Sequence, residues 1–218
     1  CKTRGTRKSR NLSLTQLLNN HMNICVFCSS SNALDQKFFD QAKELGKLLS
    51  ENNYDLVYGG SNVGLMNEIA QTMLACGSNV TGVIPEVIKD HGLALNDIQN
   101  LIVTKDLSER KNEMIRLSEG FIALPGGFGT LEEIIEVITL KQLQIHNKPI
   151  VFLDSDNFYS KLFEFFETIY SNYFAKSEYR NYYHLAKSPE EVLEYLKNYE
   201  VPDFKDKWFN VRREEFRN

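Results

Sequence analysis

The sequence contains no long apolar run and no excess of charge of one sign. Its 218 residues include 25 Lys or Arg and 29 Asp or Glu, so the formal net charge is only -4. No stretch approaches the roughly 18 apolar residues that a membrane-spanning helix needs, and no signal-peptide pattern precedes the first apolar run. We therefore expect a cytoplasmic protein with a small-molecule ligand, and we expect neither a membrane nor a nucleic acid as its partner.

Cysteine is scarce as well, which excludes the disulfide scaffold of small secreted proteins. The four cysteines are Cys1, Cys25, Cys28 and Cys76. Cys25 and Cys28 spell C-x-x-C, but they lie inside a strand-like run, without a second pair of metal ligands and without a helix beginning at the motif. We interpret them as core thiols in a reducing compartment, and we expect no metal and no cofactor.

No stretch rich in Gly, Pro and Ser divides the chain, and its length suits one sizeable α/β domain. The opening residues CKTRGTRKSRN carry five basic and no acidic side chains, a composition shared by transit peptides, RNA-binding arms and disordered arms. We predict a flexible basic arm over residues 1–22, a single domain over residues 23–199 and an extension over residues 200–218, which we interpret as a docked helix.

The chain does contain a regular alternation of apolar runs and amphipathic helical patterns. The runs predict strands over residues 23–30, 54–60, 79–85, 121–125 and 148–154. Apolar residues at i, i+3 and i+4 predict helices over residues 33–53, 64–77, 107–120, 130–145 and 157–174. Strands that are apolar on both faces and alternate with helices are typical of a doubly wound parallel sheet. The sequence therefore predicts an α/β fold of this kind.

Loops of small residues follow three of the predicted strands. They read CSSS at residues 28–31, YGGSNVG at residues 58–64 and PGGFGT at residues 125–130. Ligands of open α/β sheets bind beyond the carboxyl ends of the strands. We therefore expect these three loops to converge on one site.

The third loop has the residues of an anion-binding turn. Gly126, Gly127 and Gly129 allow successive backbone N–H groups to point at an anion, and Thr130 is predicted to cap the following helix, whose positive end adds attraction. A tight turn without a ligand is the alternative. The loop lacks the Gly-Lys-Ser/Thr ending of a Walker A motif and the spacing of a dinucleotide loop, so hydride chemistry is not indicated.

The loop is preceded by a basic pair, Arg110 and Lys111, near the start of a predicted helix. Together with VFCSSS, YGGSNVGLM and the motif P-G-G-x-G-T-x-x-E, the pair resembles the LONELY GUY (LOG) family of cytokinin-activating phosphoribohydrolases, long mislabelled lysine decarboxylases. The likeness covers residues 23–174. It implies a Rossmann-like fold, a homodimer, and hydrolysis of nucleoside 5′-monophosphates, AMP or N6-substituted AMP, to a free base and ribose 5-phosphate.

The resemblance also implies the site residues. It makes Arg110 and Glu133 catalytic, and it gives contact with the substrate to Ser29, Ser30, Gly59, Gly60, Met66, Lys111, Pro125, Gly126, Gly127, Phe128, Gly129, Thr130 and Glu132. Independently of the family, cleavage of an N-glycosidic bond builds positive charge on the sugar, which a carboxylate stabilises. Glu133 could stabilise that charge, hold the sugar hydroxyls or orient water, and Arg110 could grip the phosphate or the sugar.

Three positions depart from the family pattern. Ser29 stands where relatives commonly have Gly, Asn67 follows GLM where they often have Gly, and Gly92 stands where plant members place a glutamate that binds substrate. Asp90 or His91 could replace that glutamate. The preference for a cytokinin nucleotide over AMP is therefore open.

Two other functions are weighed against the hydrolase. A nucleotide- or molybdenum-cofactor-binding carrier would need the glycine loop but not the adjacent carboxylate. A lysine decarboxylase would need a Schiff-base lysine in a pyridoxal site, which is not recognisable here. Separately, the predicted helix over residues 130–145 is apolar on more than one side, which favours a homodimer over coverage by the C-terminal segment alone.

Overall fold

A computed structural model describes residues 21–202 of the chain. Its centre is one parallel sheet of seven strands in the order β4-β3-β2-β1-β5-β6-β7. The chain runs outward from β1 to one edge, returns, and then builds the other half from β5. The strands are β1 Met22–Phe27, β2 Tyr54–Tyr58, β3 Val80–Pro85, β4 Asn100–Thr104, β5 Gly120–Ala123, β6 Ile150–Leu153 and β7 His184–Ala186.

Helices connect successive strands, as parallel pairing requires. They are α1 Gln36–Glu51, α2 Gly64–Ala75, α3 Glu86–Asp90, α4 Leu107–Leu117, α5 Phe128–Gln142, α6 Ser160–Ser171 and α7 Pro189–Lys197. Two short 3₁₀ helices, Ser155–Asn157 and Ser177–Tyr182, flank α6. Helix α2 ends at Ala75 and Gly77 follows with φ 88°, the left-handed backbone that closes a helix.

The helices cover both faces of the sheet, which confirms the doubly wound fold. On one face α1, α2 and α7 bury an aliphatic cluster that includes Leu45, Ile69 and Val192. On the other face α4, α5 and α6 bury a cluster richer in aromatic rings, with Phe121, Phe152 and Tyr159 at its centre. Because apolar side chains lie on both faces of the central strands, their sequences read as continuous apolar runs.

Each strand and helix predicted above is present, but the predicted bounds differ. The first strand ends at Phe27 rather than residue 30, and the helix expected over residues 130–145 spans Phe128–Gln142. Two strands were not predicted. β4 is half exposed at the sheet edge and β7 has three residues, so neither produces a long apolar run.

The predicted N-terminal arm and C-terminal extension fall almost wholly outside the described residues. Met22, assigned to the arm, is the first residue of β1. Within residues 21–202, no helix is long and apolar enough to cross a bilayer. The family likeness described above ends at residue 174, and the segment after it adds β7 and α7 to the main sheet and core.

Candidate active site

A cleft of about 820 Å³ opens at the carboxyl edge of the sheet, where β1 and β5 are neighbours. At this position the chain reverses its direction of winding, and the loops on either side diverge to leave a crevice. The loops after β1, β2 and β5 all contribute to its lining. The prediction that the three loops of small residues converge is therefore correct.

The glycine loop passes directly from β5 into α5. The helix begins at Phe128 with Gly127 at its N-cap position and no capping side chain, so its first N–H groups have no acceptor within the helix. Gly127, Phe128, Gly129 and Thr130 line the cleft. The amino end of α5 therefore presents donors and a positive dipole end to any anion bound there.

Thr130 does not cap the helix, so that prediction is wrong. It lies in the first turn, is 4 % exposed, and packs over the backbone of Gly126. A Cβ on Gly126 would lie 2.1 Å from Oγ1 of Thr130. Glycine is required at position 126 because the loop and the first turn of α5 approach each other too closely for a side chain.

Arg110 enters the cleft from the first turns of α4. The helix begins after Asp106, whose side chain accepts the N–H of Glu109 at 2.8 Å, a capping contact that fixes the start of the helix. The Nε of Arg110 donates to the carbonyl oxygen of Val83 at 3.0 Å, and its Nη1 donates to Oε1 of Glu133 at 2.5 Å. Both bonds fix the orientation of the guanidinium group.

Glu133 lies one turn into α5 and points into the cleft, with only 8 % of its surface exposed. Burial raises the pKa of Glu133 above its ordinary value of 4.5, and the charge and hydrogen bond of Arg110 oppose that rise. A buried carboxylate held against one arginine is typical of catalytic sites, where solvent is excluded and charge interacts strongly.

The opposite side of the cleft consists of backbone and small side chains. The N–H of Gly64 donates to Oδ1 of Asn32 at 2.8 Å, and that of Leu65 donates to the carbonyl oxygen of Ser29 at 2.9 Å. Gly64 has φ 60°, and a Cβ there would lie 2.5 Å from the backbone of Ser30. The loops after β1 and β2 are therefore locked together by backbone contact.

Part of the cleft lining, the apolar wall, consists of hydrocarbon and thioether side chains. It includes Val63 and Met66 from the start of α2, Ile88 and Leu93 from α3 and the loop after it, and Met114 from α4. The cleft thus combines a polar end, formed by the glycine loop and Arg110, with an apolar wall. This combination is common in small-molecule sites.

Comparisons with known proteins agree with this geometry. The family model described as "Possible lysine decarboxylase" matches residues 66–196. The probable cytokinin riboside 5′-monophosphate phosphoribohydrolase LOGL6 of Oryza sativa subsp. japonica is 43% identical over 81% of this chain and 70% of its own. LOG4 of Arabidopsis thaliana, a cytokinin riboside 5′-monophosphate phosphoribohydrolase, is 40% identical over 81% of this chain and 82% of its own. The chain belongs to the LOG family.

Solved structures of more distant proteins share the fold. The molybdenum cofactor binding protein from Rippkaea orientalis superposes with a TM-score of 0.64 at 24% identity, over 81% of this chain and 96% of its own. The Moco carrier protein from Chlamydomonas reinhardtii gives a TM-score of 0.62 at 22% identity, over 81% of this chain and 96% of its own. Identities this low establish the Rossmann-like architecture alone.

The structure brings most of the residues implied by the LOG motif to one cleft. Lining residues among them are Ser29, Ser30, Gly59, Met66, Arg110, Gly127, Phe128, Gly129, Thr130 and Glu133. Three others are not lining residues: Pro125 and Gly60 are buried, Gly60 against Gly82, and Gly126 is half-buried against Thr130. Of the apolar wall, sequence reasoning predicted Met66 but missed Ile88, Leu93 and Met114, which come from separate elements and belong to no motif.

Lys111 and Glu132 are not among the residues that line the cleft. Lys111 forms an ion pair with Glu132 and a second one, at 2.7 Å, with Glu136. Adjacent residues of a helix point about 100° apart, so Lys111 points away from the cleft when Arg110 points into it. These two ion pairs of Lys111 join α4 to α5 beside the cleft.

The segment that departs from the plant LOG pattern also lies mostly outside the cleft. Asp90, His91 and Gly92 are exposed, and Nδ1 of His91 is 2.6 Å from the carbonyl oxygen of Val87 in the preceding turn. Neither Asp90 nor His91 is a lining residue, whereas Ile88 and Leu93 are. This part of the cleft is therefore apolar where plant relatives were expected to have a carboxylate.

The thiols and His146 have structural surroundings. Cys25 and Cys28 are buried and free, and Cys28 also contributes to the cleft lining. Burial raises the pKa of both thiols, which keeps them uncharged. The ring of His146 packs against Phe121 at a tilt of 49°, and burial lowers the pKa of His146 to about 4. Within residues 21–202, no group of three or more His, Cys, Asp or Glu side chains could hold a metal ion.

Proposed function

We propose that this protein hydrolyses the N-glycosidic bond of N6-substituted adenosine 5′-monophosphates, releasing the free base and ribose 5-phosphate. The observation that carries the proposal is the Arg110–Glu133 pair, buried in a cleft beside the glycine loop in a chain of the LOG family. Relatives about 40% identical carry this activity in their names.

The glycine loop supports binding of the 5′-phosphate at the amino end of α5. The N–H groups of the first helical turn and the positive end of the helix dipole favour a doubly charged phosphate. Residues 126, 127 and 129 are glycines, so no side chain at these three positions competes with the phosphate. The phosphate would anchor the substrate at the polar end of the cleft.

Glu133 and Arg110 supply the charges that the reaction needs. Water forms a bond to C1′ of the ribose while the bond from C1′ to the base nitrogen breaks, and the base leaves with the electron pair and takes up a proton. Glu133 stabilises the positive charge that develops on the sugar and is positioned to orient the water. Arg110 holds Glu133 in place and lines the same cleft as the loop, where it would contact the phosphate or a sugar hydroxyl.

The apolar wall supports an N6-substituted adenine over plain adenine. Val63, Met66, Ile88 and Leu93 offer carbon surface to a substituent such as an isopentenyl group, and each buried CH₂ group contributes about 0.8 kcal/mol. Without the glutamate expected at position 92, this preference would come from apolar contact alone. AMP would then be a weaker substrate rather than an excluded one.

A homodimer is part of the proposal. On and just after α5, Ile135, Leu143 and Ile145 are 36%, 46% and 65% exposed, and Phe128 at the mouth of the cleft is 91% exposed. The C-terminal segment covers part of this helix, since Nζ of Lys141 donates to the carbonyl oxygen of Tyr182 at 2.9 Å. The remaining apolar surface would be covered by a second copy of the chain. We also propose a cytoplasmic location.

The alternative is a carrier that binds a nucleotide or the molybdenum cofactor without turnover. Its support is the fold shared with the molybdenum cofactor proteins. Identities of 24% and 22% establish that shared fold but not a shared function. A carrier has no use for a buried carboxylate of raised pKa opposite an arginine. The hydrolase is therefore the better account of the site.

The deciding experiment incubates the protein separately with AMP, with N6-isopentenyladenosine 5′-monophosphate and with the corresponding nucleoside. We expect free base and ribose 5-phosphate from both nucleotides, faster from the substituted one, and little from the nucleoside, which lacks the phosphate. Nucleotide binding without release of base would favour the carrier. Equal rates with the nucleoside would contradict the role of the glycine loop.

A further inference from the structure

The loop that leads from β5 to α5 is fixed at its first residue by two hydrogen bonds. The N–H of Leu124 donates to the carbonyl oxygen of Phe27 at 2.9 Å, and the hydroxyl of Tyr159 donates to the carbonyl oxygen of Leu124 at 2.6 Å. Leu124 is 1% exposed and Tyr159 is 2% exposed. Since both groups are buried, water does not take the place of either partner when it is lost.

Tyr159 is itself fixed by Asp154, the residue that follows β6. Oδ1 of Asp154 accepts the N–H of Tyr159 at 2.7 Å, and Oδ2 accepts Nζ of Lys187, the residue after β7, at 2.6 Å. Asp154 is 1% exposed, so these contacts replace the water that its oxygens lose on burial. A chain of hydrogen bonds thus crosses the carboxyl ends of three neighbouring strands, from β7 through β6 to β5.

The turn that carries Tyr159 stores backbone strain. Asp156 and Asn157 have φ of 55° and 57°, in the left-handed region that residues with side chains adopt only at a cost. Nζ of Lys187 donates to Oδ1 of Asn157 at 3.0 Å as well. Lys187 therefore stabilises both the strained turn and the carboxylate behind Tyr159.

We propose that Tyr159 is a positioning residue for the glycine loop, supported by Asp154 and Lys187. Glycines make the loop between Leu124 and α5 intrinsically free, yet an anion site works only when its donors are already aimed before the ligand arrives. The hydroxyl of Tyr159 fixes the direction in which the loop leaves β5. The inference rests on the proposed function in one respect, because the anion of the loop is taken to be the substrate phosphate.

The test is Tyr159→Phe, which removes one hydroxyl and leaves the ring packing in place. We expect KM for N6-isopentenyladenosine 5′-monophosphate and the inhibition constant of ribose 5-phosphate to rise about five- to twenty-fold, because a buried carbonyl loses its partner. kcat should change by less than about three-fold, since Arg110 and Glu133 are untouched. Amide hydrogen exchange of residues 125–131 should become faster.

The matched control is Tyr170→Phe. The hydroxyls of Tyr170 and Tyr183 bond each other at 3.1 Å in the same aromatic cluster as Tyr159, remote from the loop. This variant loses the same kind of group and should lose comparable stability, but KM, the inhibition constant and loop exchange should stay at the parent values. Equal changes in both variants, or no change in Tyr159→Phe, would overturn the inference.

A second variant, Lys187→Met, tests the support behind Tyr159. The Lys187 side chain is 53% exposed, so its loss opens no cavity in the core, while Asp154 loses one of its two partners and keeps the N–H of Tyr159. We expect the inhibition constant of ribose 5-phosphate to rise, as in Tyr159→Phe but by a smaller factor. An unchanged value would contradict the supporting role of Lys187. If the parent protein releases no base, the proposed function fails, while loop exchange in the two tyrosine variants still decides the positioning role.

Discussion

Replacing Glu133 by Gln removes the one buried carboxylate that faces Arg110 in the cleft while keeping the shape of the side chain. The oxygen that accepts the 2.5 Å bond from Arg110 has an equivalent in the amide. Nucleotide binding should therefore persist. What is lost is the full negative charge that, in the proposed mechanism, stabilises the positive charge developing on the sugar.

The size of the effect follows from Coulomb's law. Two unit charges about 4 Å apart in an effective dielectric of about 20 interact by about 4 kcal/mol. Since each 1.36 kcal/mol is about tenfold in rate, we expect kcat to fall about 10³-fold with KM changed by less than about three-fold. Steady-state release of free base measures both constants.

The control is Glu113→Gln on α4. Glu113 also accepts hydrogen bonds from an arginine, Arg116, at 2.8 and 2.5 Å, but it lies outside the cleft. The change of charge and shape is the same, so we expect activity within about two-fold of the parent. A Glu133→Gln enzyme that turns over within a few-fold of the parent would refute the role given to Glu133.

Acidity provides a second measurement on the same variant. The pKa of Glu133 is raised above 4.5 because burial penalises its charged form. The parent rate should therefore fall on the acid side through a pKa above 4.5. A carboxyl group whose pKa is higher in the folded protein than in the unfolded chain makes folding less favourable as pH rises above its ordinary pKa of 4.5. Gln has no proton to lose, so the melting temperature of Glu133→Gln should equal or exceed that of the parent at pH 7. Below about pH 4.5 the two melting temperatures should no longer differ in the variant's favour.

Three further outcomes are expected. Arg110→Ala should reduce kcat/KM far more than Lys111→Ala, because only Arg110 lines the cleft; equal, mild losses would indicate a shared electrostatic role. Gly126→Ala should raise KM at least tenfold and lower stability by about 1–3 kcal/mol, because the added Cβ would lie 2.1 Å from Thr130. Its control is Gly129→Ala, where the added Cβ would have no atom within 4 Å, so the melting temperature should not fall. Dilution followed by light scattering should show a dimer whose dissociation lowers hydrolysis, and a fully active monomer would contradict the proposed assembly.

The pattern of neighbouring residues in the chain was enough to predict the parallel sheet and to locate the glycine-loop motif. The continuous apolar runs of β1, β2, β3, β5 and β6 reflect burial on both faces, so the sequence alone indicates a doubly wound sheet. The glycine loop is a motif of consecutive residues, so its position at the end of β5 is readable as well. Both features depend on neighbours in the chain.

The same reasoning failed where a residue's role depends on packing. Thr130 looks like a helix cap because capping threonines commonly precede helices, but the helix begins at Phe128 and Thr130 packs over Gly126. The strands β4 and β7 lie at the sheet edges, where one side is unpaired and a short or half-exposed segment suffices. Neither outcome is visible in a window of a few residues.

The sequence by itself determined which chemical groups are present: the glycine loop, the arginine and the carboxylate. Only the tertiary structure decided which of them meet. Arg110 and Glu133 lie 23 positions apart and on different helices, yet their side chains are in contact, while Lys111, next to Arg110 in the chain, points to Glu136 outside the cleft. The reason is that the turn of a helix and the order of strands, rather than separation along the chain, fix the direction and distance of each side chain.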